Sequence, residues 1–120
     1  MRAVAASRTC LHCALARALR AEAAAFAARG LAIRLARSEP VFLPIAGGTV
    51  YRALRRLLRA ACRAAERSPV KLAVLDLVGK SHVEVTATVL RGRTSHVLSC
   101  AFPCSDVATL GGGFAEHAAG

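Results

Sequence analysis

The sequence predicts an α/β two-layer sandwich, with helices packed on one face of a mixed β-sheet. Three patterns carry that expectation. Val50, Ala53, Leu54, Leu57, Leu58, Ala61, Cys62 and Ala65 recur at helical spacing, while Arg52, Arg55, Arg56, Arg59 and Arg63 fall on the remaining surface. Val83, Val85, Ala87 and Val89 alternate with Glu84, Thr86 and Thr88, which puts the aliphatic side chains of a strand on one face. Between the two patterns, Val70 to Val78 is almost continuously apolar, so a helix is laid across a hairpin.

Taken in order, Thr9 is the expected N-cap of a first helix that runs to about Arg29, with Gly30 as its stop. Leu11, Leu15, Ala18, Leu19 and Phe26 share its apolar face. Glu22 falls inside that stripe, and it either bends out to the rim, the simpler reading, or reaches a basic group on another element. Leu31, Ile33 and Leu35 then alternate with Ala32, Arg34 and Ala36 as a half-buried strand. Val41 to Ile45, with Pro44 inside it, suits an edge or connector. Gly47-Gly48 breaks the chain, Thr49 caps the central helix, and the helix ends before Ser68-Pro69 because Ser68 precedes a proline. Gly79-Lys80-Ser81-His82 and Arg91-Gly92-Arg93-Thr94 read as turns. Ser95 to Phe102 reads as a further strand, with His96, Leu98, Cys100 and Phe102 on one face. The tail from Asp106 has weak helical character, interrupted by Gly111-Gly112-Gly113.

With 120 residues, residues 1–120 make one domain with one core, residues 1–8 being expected to lack fixed structure and 106–120 to form a weakly ordered tail. There is no internal repeat and no linker. At 55% hydrophobic residues the chain is too apolar to be disordered. No apolar run approaches the roughly 20 residues of a membrane span, and arginines interrupt every candidate export signal. The expected location is cytoplasmic. The net charge of +10 rests on fifteen arginines and two lysines, a balance that suits nucleic acid, anionic lipid or an acidic protein as partner. With four Phe, one Tyr and no Trp, a base-stacking platform is disfavoured.

The pattern Leu15-x-x-x-Leu19, then Arg29-Gly30-Leu31-x-Ile33-x-Leu35, then Leu54-x-x-Leu57-Leu58-x-Ala60-Ala61, followed by Val70 to Val89, resembles the ATP-binding domain of sensor histidine kinases, a member of the GHKL ATPase superfamily. The resemblance extends from about Cys10 to Val89. It implies ATP with magnesium as ligand and two-component signalling proteins as partners. In that family the helix matching Thr49–Glu66 carries a magnesium-holding asparagine in a pattern like Asn-Leu-Leu-x-Asn-Ala; here the match is Arg56-Leu57-Leu58-Arg59-Ala60-Ala61, and Ala60 offers no oxygen to a hard cation. The family's adenine-reading Asp-x-Gly-x-Gly turn is matched by Leu90-Arg91-Gly92-Arg93-Thr94, which keeps Gly92 and replaces the aspartate with Leu90. Its phosphate-cradling glycine box has one candidate, Gly111-Gly112-Gly113-Phe114.

The resemblance therefore implies a non-catalytic domain that needs no cofactor and works as a binding or regulatory module. Arg52, Arg55, Arg56, Arg59 and Arg63 are the expected contact with an acidic histidine kinase or response regulator; a plain solvated helix face is the simpler alternative. A homodimer is compatible with this reading. The rivals are an ATP-binding domain of a working sensor kinase and a basic nucleic-acid-binding protein.

Five cysteines without an export signal are read as thiols. Cys10, Cys13, Cys100 and Cys104 would give zinc four thiolates if the first helix met the last strand. A redox reading of Cys10-x-x-Cys13 lacks the preceding strand that such a motif follows. His12 is expected to be an exposed helix residue, and Cys62 to lie in the core.

Overall fold

The structure is a computed structural model that describes residues 8–76, 81–104 and 113–119. Its elements are β1 (Thr9–Cys10), α1 (Leu11–Ala28), β2 (Ile33–Leu35), β3 (Phe42–Leu43), α2 (Gly47–Ala64), β4 (Arg67–Asp76), β5 (His82–Arg91), β6 (Thr94–Pro103) and β7 (Gly113–Ala119). A five-stranded sheet has the order β2-β4-β5-β6-β7, and β1 and β3 form a separate two-stranded ribbon. β2 pairs parallel with β4 while the other pairs are antiparallel, so the sheet is mixed as expected. Expectations for residues 1–7, for 77–80 (the end of the apolar run and Gly79 and Lys80 of the first turn), for 105–112 (the start of the tail with Gly111 and Gly112) and for residue 120 lie outside the described residues.

α1 starts one residue later than a Thr9 cap requires. Thr9 belongs to β1 and its hydroxyl donates to the Ile45 carbonyl, so the cap passes to Cys10, whose sulfur accepts from the Cys13 amide. At the other end Gly30 (φ +67) donates to the Ala27 carbonyl and Leu31 to the Phe26 carbonyl, the paired bonds of a Schellman stop. α2 also departs from its expected start. The β1–β3 ribbon delivers the chain into the helix at Ala46, whose carbonyl already accepts from Val50, so Gly47, Gly48 and Thr49 lie in the first turn and no side chain caps it. It ends at Ala64, ahead of Ser68-Pro69. β4 reaches back to Arg67 through a register irregularity between Arg67 and Lys71, where Pro69 has no amide to give.

The alternation read in β5 holds, with Val83, Val85, Ala87 and Val89 fully buried. β6 follows after a two-residue turn, with Gly92 at φ +57, and buries Leu98, Cys100 and Phe102 on the same side. Over its described residues the tail corrects the expected weak helix. Residues 113–119 form β7, paired along β6 from Ser95↔Ala119 to Ala101↔Gly113. The open edge of β6 offers a row of amides and carbonyls, and pairing with it overrides the helix preference of an alanine-rich segment.

One core lies between helices and sheet. Leu11, Leu15 and Phe26 of α1 and Leu54, Leu57 and Leu58 of α2 pack above Val70, Leu72, Val83, Val85 and Phe102. Cys62 lies in it, as expected. No helix among the described residues is long and apolar enough to cross a membrane.

Candidate functional site

α1 and α2 lie side by side, and their shared outer edge is polar. Glu22 is only 6% exposed, and its Oε2 accepts from Arg55 Nε at 2.7 Å and from Arg59 Nε at 3.1 Å. The rim position expected for Glu22 is therefore wrong, because the facing helix places two guanidinium groups over the gap in the apolar stripe. Tyr51 continues the array, with Arg17 of α1 4.8 Å and Arg55 5.6 Å from its ring centre. The hydrogen bond to Glu22 pushes the Arg55 pKa up, against desolvation and with help from Tyr51.

Arg52, Arg55, Arg56 and Arg59 line one shallow concavity of about 240 Å³. Arg63 stands exposed in the last turn of α2, outside that lining. The five arginines expected to contact a partner thus divide into kinds. Arg55 and Arg59 are oriented by a buried carboxylate through Nε, which leaves the Nη edges of their planar forks to a second oxyanion. Arg52, Arg56 and Arg63 extend into solvent.

The positions matched to the nucleotide site lie elsewhere. Ala60 is half-buried on α2 and packs against the core. Leu90 sits at the end of β5, opposite Ser95, and its carbonyl accepts from the Glu66 amide at 2.8 Å. The Gly92 amide donates to Glu66 Oε1 at 2.6 Å, with Arg91 Nε 3.9 Å from the other oxygen. Gly113 opens β7 opposite Ala101, whereas Gly92 follows Arg91, which pairs with Thr94. The two glycines therefore mark opposite ends of β6, on the order of 20 Å apart at about 3.3 Å per residue.

No protein-family profile matches the chain, and no curated protein does. Solved structures do match. The catalytic domain of histidine kinase ThkA superposes with a TM-score of 0.58 at 13% identity over 78% of this chain and 57% of that one. The Acinetobacter baumannii histidine kinase AdeS gives 0.56 at 15% identity over 69% of this chain and 42% of that one. The mycobacterial sensor histidine kinase MprB gives 0.56 at 14% identity over 68% of this chain and 53% of that one. The fold is that of a histidine-kinase ATPase domain. The chain spans between 42% and 57% of the length of these three structures.

On this histidine-kinase ATPase fold the Ala60 side chain offers no oxygen to magnesium, the Leu90 side chain offers no acceptor to an adenine amino group, and the Gly92 amide already serves a carboxylate. The cysteines do not converge either. Cys10 and Cys13 stand at the start of α1, Cys100 is buried in β6, and Cys104 follows β6 with its amide donating to the Ser81 carbonyl. Among the described residues no three His, Cys, Asp or Glu side chains gather as a metal site. His12 is half-buried, with Nε2 2.7 Å from Ser38 Oγ, so the expected exposed residue instead ties the loop after β2 to α1. Sequence reasoning also missed β1, because Thr9–Cys10 is too short to show a period.

Proposed function

We propose that the chain is a non-catalytic histidine-kinase-like domain that serves as a binding or regulatory module in two-component signal transduction. It works in the cytoplasm without a cofactor, and the arginine face of α2 meets an acidic surface on a histidine kinase or response regulator. The observation that carries this reading is the replacement of the nucleotide grip: aliphatic side chains at 60 and 90, and glycines 92 and 113 at opposite ends of one strand. Phosphoryl transfer depends on positioning and on charge stabilisation by metal and fixed donors, so a domain without them retains its shape and its surface. The concavity framed by four arginines then offers bidentate pairing to carboxylates or phosphate oxygens.

Two measurements test this. Calorimetric titration with ATP and magnesium at millimolar ligand is expected to give no saturable heat; one-to-one binding would instead establish a nucleotide-binding domain. Binding to the response regulators and histidine kinases of the same genome is expected to weaken markedly at low salt on Arg52→Glu with Arg56→Glu. Persistence of a partner's affinity in that double variant would place the contact on another face.

A further inference from the structure

The first turn of α1 presents a chemistry that the α2 face does not use. Cys10 is held on both sides: β1 pairs with β3 at Thr9↔Leu43 and Cys10↔Phe42, and the Leu11 amide donates to the Val41 carbonyl at 2.9 Å. Its backbone is extended, with φ −74 and ψ 112, and its sulfur caps the helix by accepting from the Cys13 amide at 3.2 Å. A strand that runs directly into a helix, with Cys-x-x-Cys across the junction, is the local context in which a dithiol redox motif is read, and β1 supplies the strand that the sequence pattern lacks. Cys10 is half-buried, so part of its surface stays open to a disulfide, and Cys13, a turn later, is exposed beside it. Both are thiols.

We propose that Cys10 and Cys13 form a thiol–disulfide exchange site whose co-substrate is an organic disulfide, with Cys10 as the attacking thiolate and Cys13 as the resolving thiol. Several groups favour the charged form of Cys10. The hydrogen bond from the Cys13 thiol lowers its pKa most, the Cys13 and His12 amides lower it further, and burial opposes them. The same bond raises the pKa of Cys13, so the two thiols are differentiated into attacker and resolver. The positive end of an 18-residue helix acts in the same direction on Cys10.

The steps balance. Cys10 Sγ attacks one sulfur of the disulfide RSSR; a Cys10–SR bond forms, the RS–SR bond breaks, and RS⁻ leaves and is protonated. Cys13 gives up its proton and attacks Cys10 Sγ, forming the Cys10–Cys13 bond and expelling the second RS⁻, which takes up that proton. The dithiol is oxidised by two electrons, and the co-substrate is reduced to two thiols. A residue at the cap and one three positions on lie within the roughly 4.4–6.8 Å of Cα separation that a disulfide accepts.

The remaining cysteines serve as internal controls: Cys62 and Cys100 are buried, and Cys104 is exposed. The folded chain is incubated with oxidised glutathione, quenched in acid and mapped by mass spectrometry; trypsin keeps Cys10 and Cys13 in one peptide, since cleavage follows Arg8 and Arg17. The expected product is that peptide lighter by two hydrogens, formed before Cys104 carries glutathione. Cys13→Ser is expected to abolish the intramolecular disulfide and to accumulate glutathione on Cys10. Cys10→Ser keeps a good helix cap, so the fold survives, and it is expected to lose the fast reaction. The site is refuted if wild-type Cys10 retains glutathione without passing to the disulfide. It is equally refuted if Cys10→Ser reacts as fast as wild type, or if Cys104 reacts ahead of the pair.

Discussion

A carboxylate as enclosed as Glu22 is tolerated only because Arg55 and Arg59 meet it, and the energetics of that arrangement are asymmetric. Glu22→Gln retains an acceptor oxygen and removes one charge; a loss of about 1 kcal/mol in urea denaturation is expected. Replacing both partners, as in Arg55→Met with Arg59→Met, strands the carboxylate between the helices and is expected to lower the midpoint more than Glu22→Gln does. Equal midpoints for the two variants would mean that Glu22 reaches water unaided. The sequence showed that Glu22 interrupts an apolar stripe, and also that arginines recur along α2. It did not show that the two meet, because that depends on which edges of α1 and α2 become neighbours, and no local pattern encodes it. One consequence concerns mutagenesis: charge reversal at 55 or 59 sets a carboxylate against Glu22, so lost binding and lost stability become indistinguishable there, whereas 52 and 56 keep them separate.

At the scale of elements, regular patterns were legible and short or edge pieces were not. α2 and β5 alternate polar and apolar residues at their own periods over many residues, and both are found as the element type expected, α2 with its cap three residues ahead of the expected Thr49. β1 and β7 escaped for different reasons: two residues cannot show a period, and an alanine-rich tail takes its structure from the edge it finds. The β5–β6 turn was legible because Gly92 marks it, and it supports a quantitative expectation. A Cβ at Gly92 meets nothing within 4 Å, so the cost of Gly92→Ala is the strain of φ +57 alone. That strain is about 1 kcal/mol, read as a lowered denaturation midpoint with an unchanged slope. For β7, a chain stopped before Gly113 bares the β6 edge. Hydrogen exchange is expected to lose protection at the β6 amides that face β7 while those facing β5 keep theirs, and the shortened chain is expected to self-associate.

For the whole molecule, apolar spacing made the layered fold readable and the recurrence of arginine along α2 marked the candidate face, while the tie of that face to Glu22 was not readable, because spacing encodes packing within an element and not which edges meet. The surplus of positive charge, +10 over the chain, makes encounter with an acidic partner faster and salt-sensitive. Within that field the arginines act differently. Arg52 and Arg56 are exposed, and on the proposed function they steer the partner, so their reversal to Glu is expected to lower the association rate, steeply at low salt and little at high salt, with the folded midpoint nearly unchanged. Arg55 and Arg59 are already ordered by Glu22 before any partner arrives, so less side-chain freedom is lost on binding. Glu22→Gln loosens that preorganisation without touching the outer surface, and it is expected to raise the dissociation rate while leaving the association rate and its salt dependence in place. Surface plasmon resonance over a salt series separates the two effects. If Glu22→Gln changes only association, the buried carboxylate is acting through net charge, and the α2 face is a steering patch rather than a preformed grip.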